Sequence, residues 1–142
     1  MLENFKKAIF RVLCLGLLGG GGLMAEPNPE ELFDLGMLSY DKQDFSKARK
    51  YFEKACELKE GLGCKRLGSL YYHGRGVEKN LTKATQYFSK ACGLNNSGGC
   101  GALGALYYNG DGVEKNLTKA DQYFSKACKL GDQEACEALK EK

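Results

Sequence analysis

From Ala48 onward, apolar residues fall three and four positions apart: Ala48, Tyr51, Phe52 and Ala55, then Ala84, Tyr87, Phe88 and Ala91, then Ala120, Tyr123, Phe124 and Ala127. That spacing lines one side of a 3.6-residue turn and predicts three amphipathic helices. Asp44, Asn80 and Asn116 stand in register just ahead of them, where a short polar side chain can accept from unpaired first-turn N–H groups. A second apolar set, Leu67, Leu70 and Tyr71 and then Leu103, Leu106 and Tyr107, predicts helices between the first three. Asn28-Pro29 opens an earlier one with a cap residue and a proline at the first helical position. The links HGRGVEK (73–79) and NGDGVEK (109–115) carry paired glycines suited to turns with positive φ, while in the first unit YDKQ (40–43) stands where the later ones have YHGRGVEK and YNGDGVEK, four residues longer.

The pattern is periodic as well as helical. GVEKNLTKA at 76–84 recurs letter for letter at 112–120, and QYFSKAC at 86–92 recurs at 122–128, a period of 36 residues. A repeat of that length is one supersecondary unit, which buries its apolar face by stacking on its neighbours. The expected architecture is all-α: an αα-solenoid of about three helix pairs plus a C-terminal helix, over residues 26–142. Gly36, Gly68 and Gly104 interrupt the first helix of each pair, with Lys140 at the corresponding place in the last one. A mid-helix glycine costs about 1 kcal/mol against alanine, so its recurrence points to close helix approach. Ala55, Ala91 and Ala127 are the expected opposing small surface.

The first 25 residues depart from this pattern. Lys6, Lys7 and Arg11 precede the apolar, glycine-softened run VLCLGLLGGGGLM, and Ala25 is a small residue at a polar change. This reads as a signal peptide removed near Ala25, although Leu23 fits the cleavage rule poorly. The apolar run is shorter than a bilayer-spanning helix requires, so no stable membrane insertion is expected after cleavage. The leader also carries most of the formal charge of +3, so the remainder is close to neutral and has no basic block. Nucleic acid is thereby excluded as an expected partner.

Removing the leader discards Cys14 and leaves Cys56, Cys64, Cys92, Cys100, Cys128 and Cys136, a Cys-x7-Cys pair in each period. The first cysteine of a pair falls near the end of one helix and the second near the start of the next. Antiparallel packing across a short loop brings the two together, so the expected disulfides are local: Cys56–Cys64, Cys92–Cys100 and Cys128–Cys136. A secreted or periplasmic location permits them. Structural zinc needs tighter thiolate spacing with further thiolates or histidines, and His73 is the single histidine, so neither a metal nor a cofactor is expected. The lack of Cys-x-x-Cys argues against a redox site.

LGSLYYHGRGVEKNLTKATQYFSKAC (67–92) resembles the Sel1-like repeat, a relative of the tetratricopeptide repeat. With a signal peptide and a Cys-x7-Cys pair per unit, the mature chain is similar to the Helicobacter cysteine-rich protein family. The resemblance implies a scaffold that presents a concave face to a protein or peptide partner. It also implies penicillin binding and slow β-lactam hydrolysis, with β-lactams or cell-wall peptides as ligands.

The residues themselves name no catalytic group. Ser39-Tyr40-Asp41-Lys42 fits Ser-x-x-Lys, but the companion Ser-Asp-Asn and Lys-Thr-Gly stretches are absent and the site falls where a helix runs into a turn. The Gly-x-Gly pairs at 74–76 and 110–112 lack a preceding strand and a third glycine, so they read as turns and not as phosphate loops. For partner contact the candidates are Tyr72, His73, Tyr108 and Asn109, at the ends of the first helices. Their neighbours Tyr71 and Tyr107 continue the apolar stripe and read as core.

Overall fold

The structure, a computed structural model, describes residues 27–141; the leader, including Cys14, lies outside them. Seven helices follow in order: α1 (Pro29–Asp41), α2 (Phe45–Glu57), α3 (Gly61–His73), α4 (Leu81–Gly93), α5 (Ser97–Asn109), α6 (Leu117–Lys129) and α7 (Gln133–Lys140). No strand occurs among the described residues. Each helix packs on the next, and α3 also meets α5 directly. The result is a solenoid in which α1, α3, α5 and α7 are the first helices of successive units and α2, α4 and α6 the second.

Every helix begins on a side-chain cap. Asp44, Asn80 and Asn116 accept from the N–H groups of Lys47, Lys83 and Lys119 at 3.2, 2.9 and 3.0 Å, and Asn28 accepts from Glu31 at 2.8 Å. Asn96 and Asp132 cap α5 and α7 in the same way, at 2.8 and 3.2 Å. Gly76 and Gly112 adopt φ of 69° and 70°. Any Cβ there would come within 2.6 Å of backbone atoms of Phe45 and Leu81, so these turns need glycine for conformation and for clearance against the preceding unit.

The mid-helix glycines have a different partner from the expected alanines. A Cβ on Gly68 would lie 2.9 Å from the Phe88 ring, and one on Gly104 2.8 Å from the Phe124 ring. α3 and α5 are thus hollowed to seat the phenylalanine of their own second helices, and Phe52, fully buried, sits the same way against Gly36 of α1. Ala55 and Ala91 instead face Gly63 and Gly99, beside the disulfides. A ring filling a glycine notch buries far more apolar surface than two small residues meeting, which is the physical reason for this arrangement.

At the other end of each pair the tyrosines stack. Tyr71 lies on Tyr87 at 5.5 Å and Tyr107 on Tyr123 at 5.6 Å between centroids, with Lys83 and Lys119 over the outer faces of Tyr71 and Tyr107. Such cation–aromatic layers add about 0.5–1 kcal/mol each at partly exposed sites. Burial, followed by the neighbouring Tyr71, holds the Tyr87 phenol above its usual pKa. The first unit lacks the stack because Ser39 occupies the position of Tyr71.

Three disulfides join second helices to the following first helices: Cys56–Cys64, Cys92–Cys100 and Cys128–Cys136, with Cα–Cα distances of 4.5, 4.5 and 4.7 Å. Each closes a short loop and, on the chain-entropy account, contributes about 2–3 kcal/mol. A non-covalent tie crosses one unit further: the Lys126 ammonium donates to the Cys92 carbonyl at 2.9 Å, where the end of α4 presents negative dipole.

Candidate binding groove

Helix α5, which stands between first helices α3 and α7, presents mainly glycine and alanine on its open face. Gly98, Gly101, Ala102 and Ala105 recur at helical spacing and form the floor of a hollow of about 490 Å³. Lys65 of α3 borders it on one side, and Asp132, Glu134, Ala135 and Ala138 of the α7 region border it on the other, with Phe124 between. Two side chains reach over the floor: a Cβ on Gly98 would lie 2.9 Å from Lys65 Nζ, and one on Gly101 2.6 Å from Asp132 Oδ2. Burial lowers the Lys65 pKa, nearby Arg66 lowers it further, and Asp132 acts in the opposite sense.

Two smaller hollows adjoin this one through shared walls. Tyr72, Phe88, Leu106 and Asn109 close a space of about 220 Å³ with Ala102 and Ala105. Tyr108, Asp121 and Glu141 close one of about 280 Å³ with Phe124 and Ala138. A shift of 36 residues carries Tyr72, Phe88, Ala102 and Ala105 of the first onto Tyr108, Phe124, Ala138 and Glu141 of the second. The hollows are therefore the same feature repeated, with one alanine replaced by glutamate.

The four candidates named from sequence are distributed between these spaces. Tyr72, half-buried, and Asn109, exposed, meet in the smaller hollow. His73 is exposed and packs edge-on against the Tyr72 ring at 5.0 Å between centroids. Tyr108, 52% exposed, stands in the other hollow. Sequence reasoning missed the floor and the far wall: Phe88, Phe124, Ala102, Ala105, Lys65 and Asp132. The run of small residues on α5 carried that signal, since a helix face without bulk beside large neighbours leaves a depression.

Little here supports a reactive centre. Ser39 is buried, and its hydroxyl donates to the Leu35 carbonyl at 3.0 Å, an ordinary bond one turn back along the helix. Among the described residues no group of three or more His, Cys, Asp or Glu is arranged to hold a metal ion, and no helix is long and apolar enough to cross a membrane.

The fold defines a Sel1-type solenoid, and similarity to known proteins agrees. The Sel1 repeat profile matches residues 61–96 and 99–132, and the tetratricopeptide repeat profile matches residues 29–62. The solved structure of Helicobacter pylori cysteine rich protein B superimposes with a TM-score of 0.69 at 39% identity, covering 96% of this chain and 95% of that one. A Sel1 repeat protein from Oxalobacter formigenes shares the fold, with a TM-score of 0.74 at 24% identity over 80% of this chain and 89% of that one. The chain belongs to the Helicobacter cysteine-rich protein family, and its own Sel1-type units are joined by three disulfides. HcpC of Helicobacter pylori strain J99, named as a candidate β-lactamase, is 68% identical over 81 residues, which is 57% of this chain and 28% of that protein. "Beta-lactamase HcpA" of the same strain is 58% identical over 81 residues, 57% of this chain and 32% of that one. The matched segment spans about a third or less of these curated relatives.

Proposed function

We propose that the chain is an exported binding scaffold that holds a segment of a protein or peptide partner in the trough over α5. In this reading, residues 1–25 are a signal peptide removed near Ala25, and residues 26–142 are the working domain. Three local disulfides support an oxidising location, where such bridges persist. The carrying observation is a row of three hollows that share wall residues, Ala102 and Ala105 on one side and Phe124 and Ala138 on the other, with aromatic side chains beside a floor of small residues. Concave sites of this kind bury a ligand without rearranging the scaffold, and tyrosine supplies contact area at low entropic cost.

The test is selection from a display library of random twelve-residue peptides, with the enriched sequences remeasured on Tyr72→Ala/Tyr108→Ala. Enriched peptides should lose most of their affinity on the variant while its far-ultraviolet circular dichroism is unchanged. Enrichment of peptides that bind the variant equally well, or no enrichment at all, overturns the proposal.

The names of the relatives favour a second reading, capture and slow hydrolysis of β-lactams. Ser39 would not serve as its nucleophile, because its hydroxyl is buried and already engaged. Incubating the pure protein with a fluorescent penicillin should give saturable labelling if this reading holds. Its absence from a protein with all six cysteines paired would leave the scaffold alone.

A further inference from the structure

The two equivalent hollows differ in charge, and that difference names the chemistry of the occupant; the inference rests on the scaffold reading above. The hollow at Tyr72 has uncharged walls: Phe88, Ala102, Ala105, Leu106 and Asn109. The hollow at Tyr108 has Asp121 and Glu141 where the repeat places Thr85 and Ala105 one unit earlier. The larger hollow between them is asymmetric in the same sense. Its α7 side carries Asp132 and Glu134, where one unit earlier the chain has Asn96 and Gly98. Four groove positions thus exchange a neutral residue for an acid, whereas Ala135 in place of Gly99 stays neutral and Leu106 corresponds in sequence to Lys142. The cation bordering the floor, Lys65, stands on the opposite side.

We infer that the trough takes an extended peptide that places an apolar side chain between Tyr72 and Phe88 and an arginine or lysine in the acidic hollow beside Tyr108. Spacing fixes the motif. The hollows recur once per first helix, and neighbouring packed helices lie about 8–10 Å apart. An extended chain advances about 3.3 Å per residue, so the basic residue falls about two to three positions from the apolar one. A space of about 220 Å³ accepts one large side chain such as Phe or Leu. The acidic walls favour a guanidinium or ammonium and disfavour a carboxylate, so charge supplies the direction of the peptide as well as its selection.

The probe is a labelled twelve-residue peptide, blocked at both ends, with one Phe and an Arg three positions on in a Gly/Ser background. It is compared with the same peptide carrying Glu in place of Arg. By fluorescence anisotropy the Arg peptide should bind at least about tenfold more tightly, with the advantage shrinking as salt is raised. Glu134→Lys combined with Glu141→Lys should reverse the preference, and Ala102→Leu should weaken both peptides by filling the apolar hollow. Equal binding of the two peptides, or an Arg preference untouched by the charge reversal, overturns the inference. If library-selected peptides bind in a Tyr72- and Tyr108-dependent way but carry no basic residue near their apolar anchor, the scaffold stands and the proposed chemistry falls. If no peptide binds the folded protein, both fall.

Discussion

The junction between α4 and α5, KACGLNNSGGC, and the junction between α6 and α7, KACKLGDQEAC, share the opening Lys-Ala-Cys, the leucine two positions on and the Cys-x7-Cys spacing. Each is a disulfide-closed helical corner, yet they are packed differently. At the middle corner both cysteines are at most 3% exposed, covered by the following unit. At the last corner Cys128 and Cys136 are half-buried. The middle corner also packs more closely: a Cβ on Gly99 would lie 2.5 Å from that of Ala91. The last corner has Ala135 at the same position, still buried, with the bridged Cα atoms 4.7 Å apart instead of 4.5 Å. A shared motif thus sets the bridge, while the neighbours decide how tightly the corner closes.

Removing the bridges should separate the corners most. Cys92→Ala/Cys100→Ala is expected to lower unfolding free energy by about 2–3 kcal/mol for loop closure, with a further loss from the emptied core. Cys128→Ala/Cys136→Ala should cost less, because these two cysteines are half-buried and leave a smaller void in the core when truncated. Urea titrations of both variants measure the gap. Equal losses would mean that the last corner is as integral to the core as the middle one.

Exchanging the small residues probes closeness directly. Gly99→Ala is expected to destabilise by about 1–3 kcal/mol through overpacking against Ala91 and the Cys92 backbone. Ala135→Gly should cost about 1 kcal/mol, mainly through helix propensity. A neutral Gly99→Ala in thermal unfolding would show that the middle corner can widen as the last one does.

Exposure gives an order of reduction. Under native conditions with limiting dithiothreitol, Cys128–Cys136 should open first, since thiolate attack requires access to sulfur. Alkylation followed by peptide mass mapping should find label at Cys128 and Cys136 before the other four cysteines. Simultaneous labelling of all six would instead indicate global unfolding as the route.

The smallest expected effect is on pH dependence. Lys65 titrates below its usual value in the folded state, chiefly because it is buried, so its charge opposes folding while it remains protonated. Sign follows from linkage: stability should rise slightly as pH climbs from the folded-state value toward the ordinary lysine range. Lys65→Met should remove that alkaline rise. Because Asp132 attracts Lys65, Asp132→Asn should lower the Lys65 pKa further and shift the rise to lower pH while keeping an α7 cap.

Much of this molecule was legible in one dimension because its repeat is local. Periodic Ala, Tyr and Phe positions, Asx caps and paired glycines each specify structure within a few residues, and the Cys-x7-Cys spacing lets a bridge form inside a single corner. Partners across units were not legible. The glycine notches were expected to face alanine and instead seat Phe88 and Phe124, a choice made by the relative rotation of helices in a pair. The groove was half-legible: Tyr72 and Asn109 do share a hollow, but Tyr108 stands in the next one, and the floor was invisible because glycine and alanine announce nothing by themselves. The sequence alone determined the units, their order and their covalent closure, since those depend on neighbours along the chain. Tertiary stacking decided which small residues lie open and which charges border them, because a trough exists only once three first helices stand side by side.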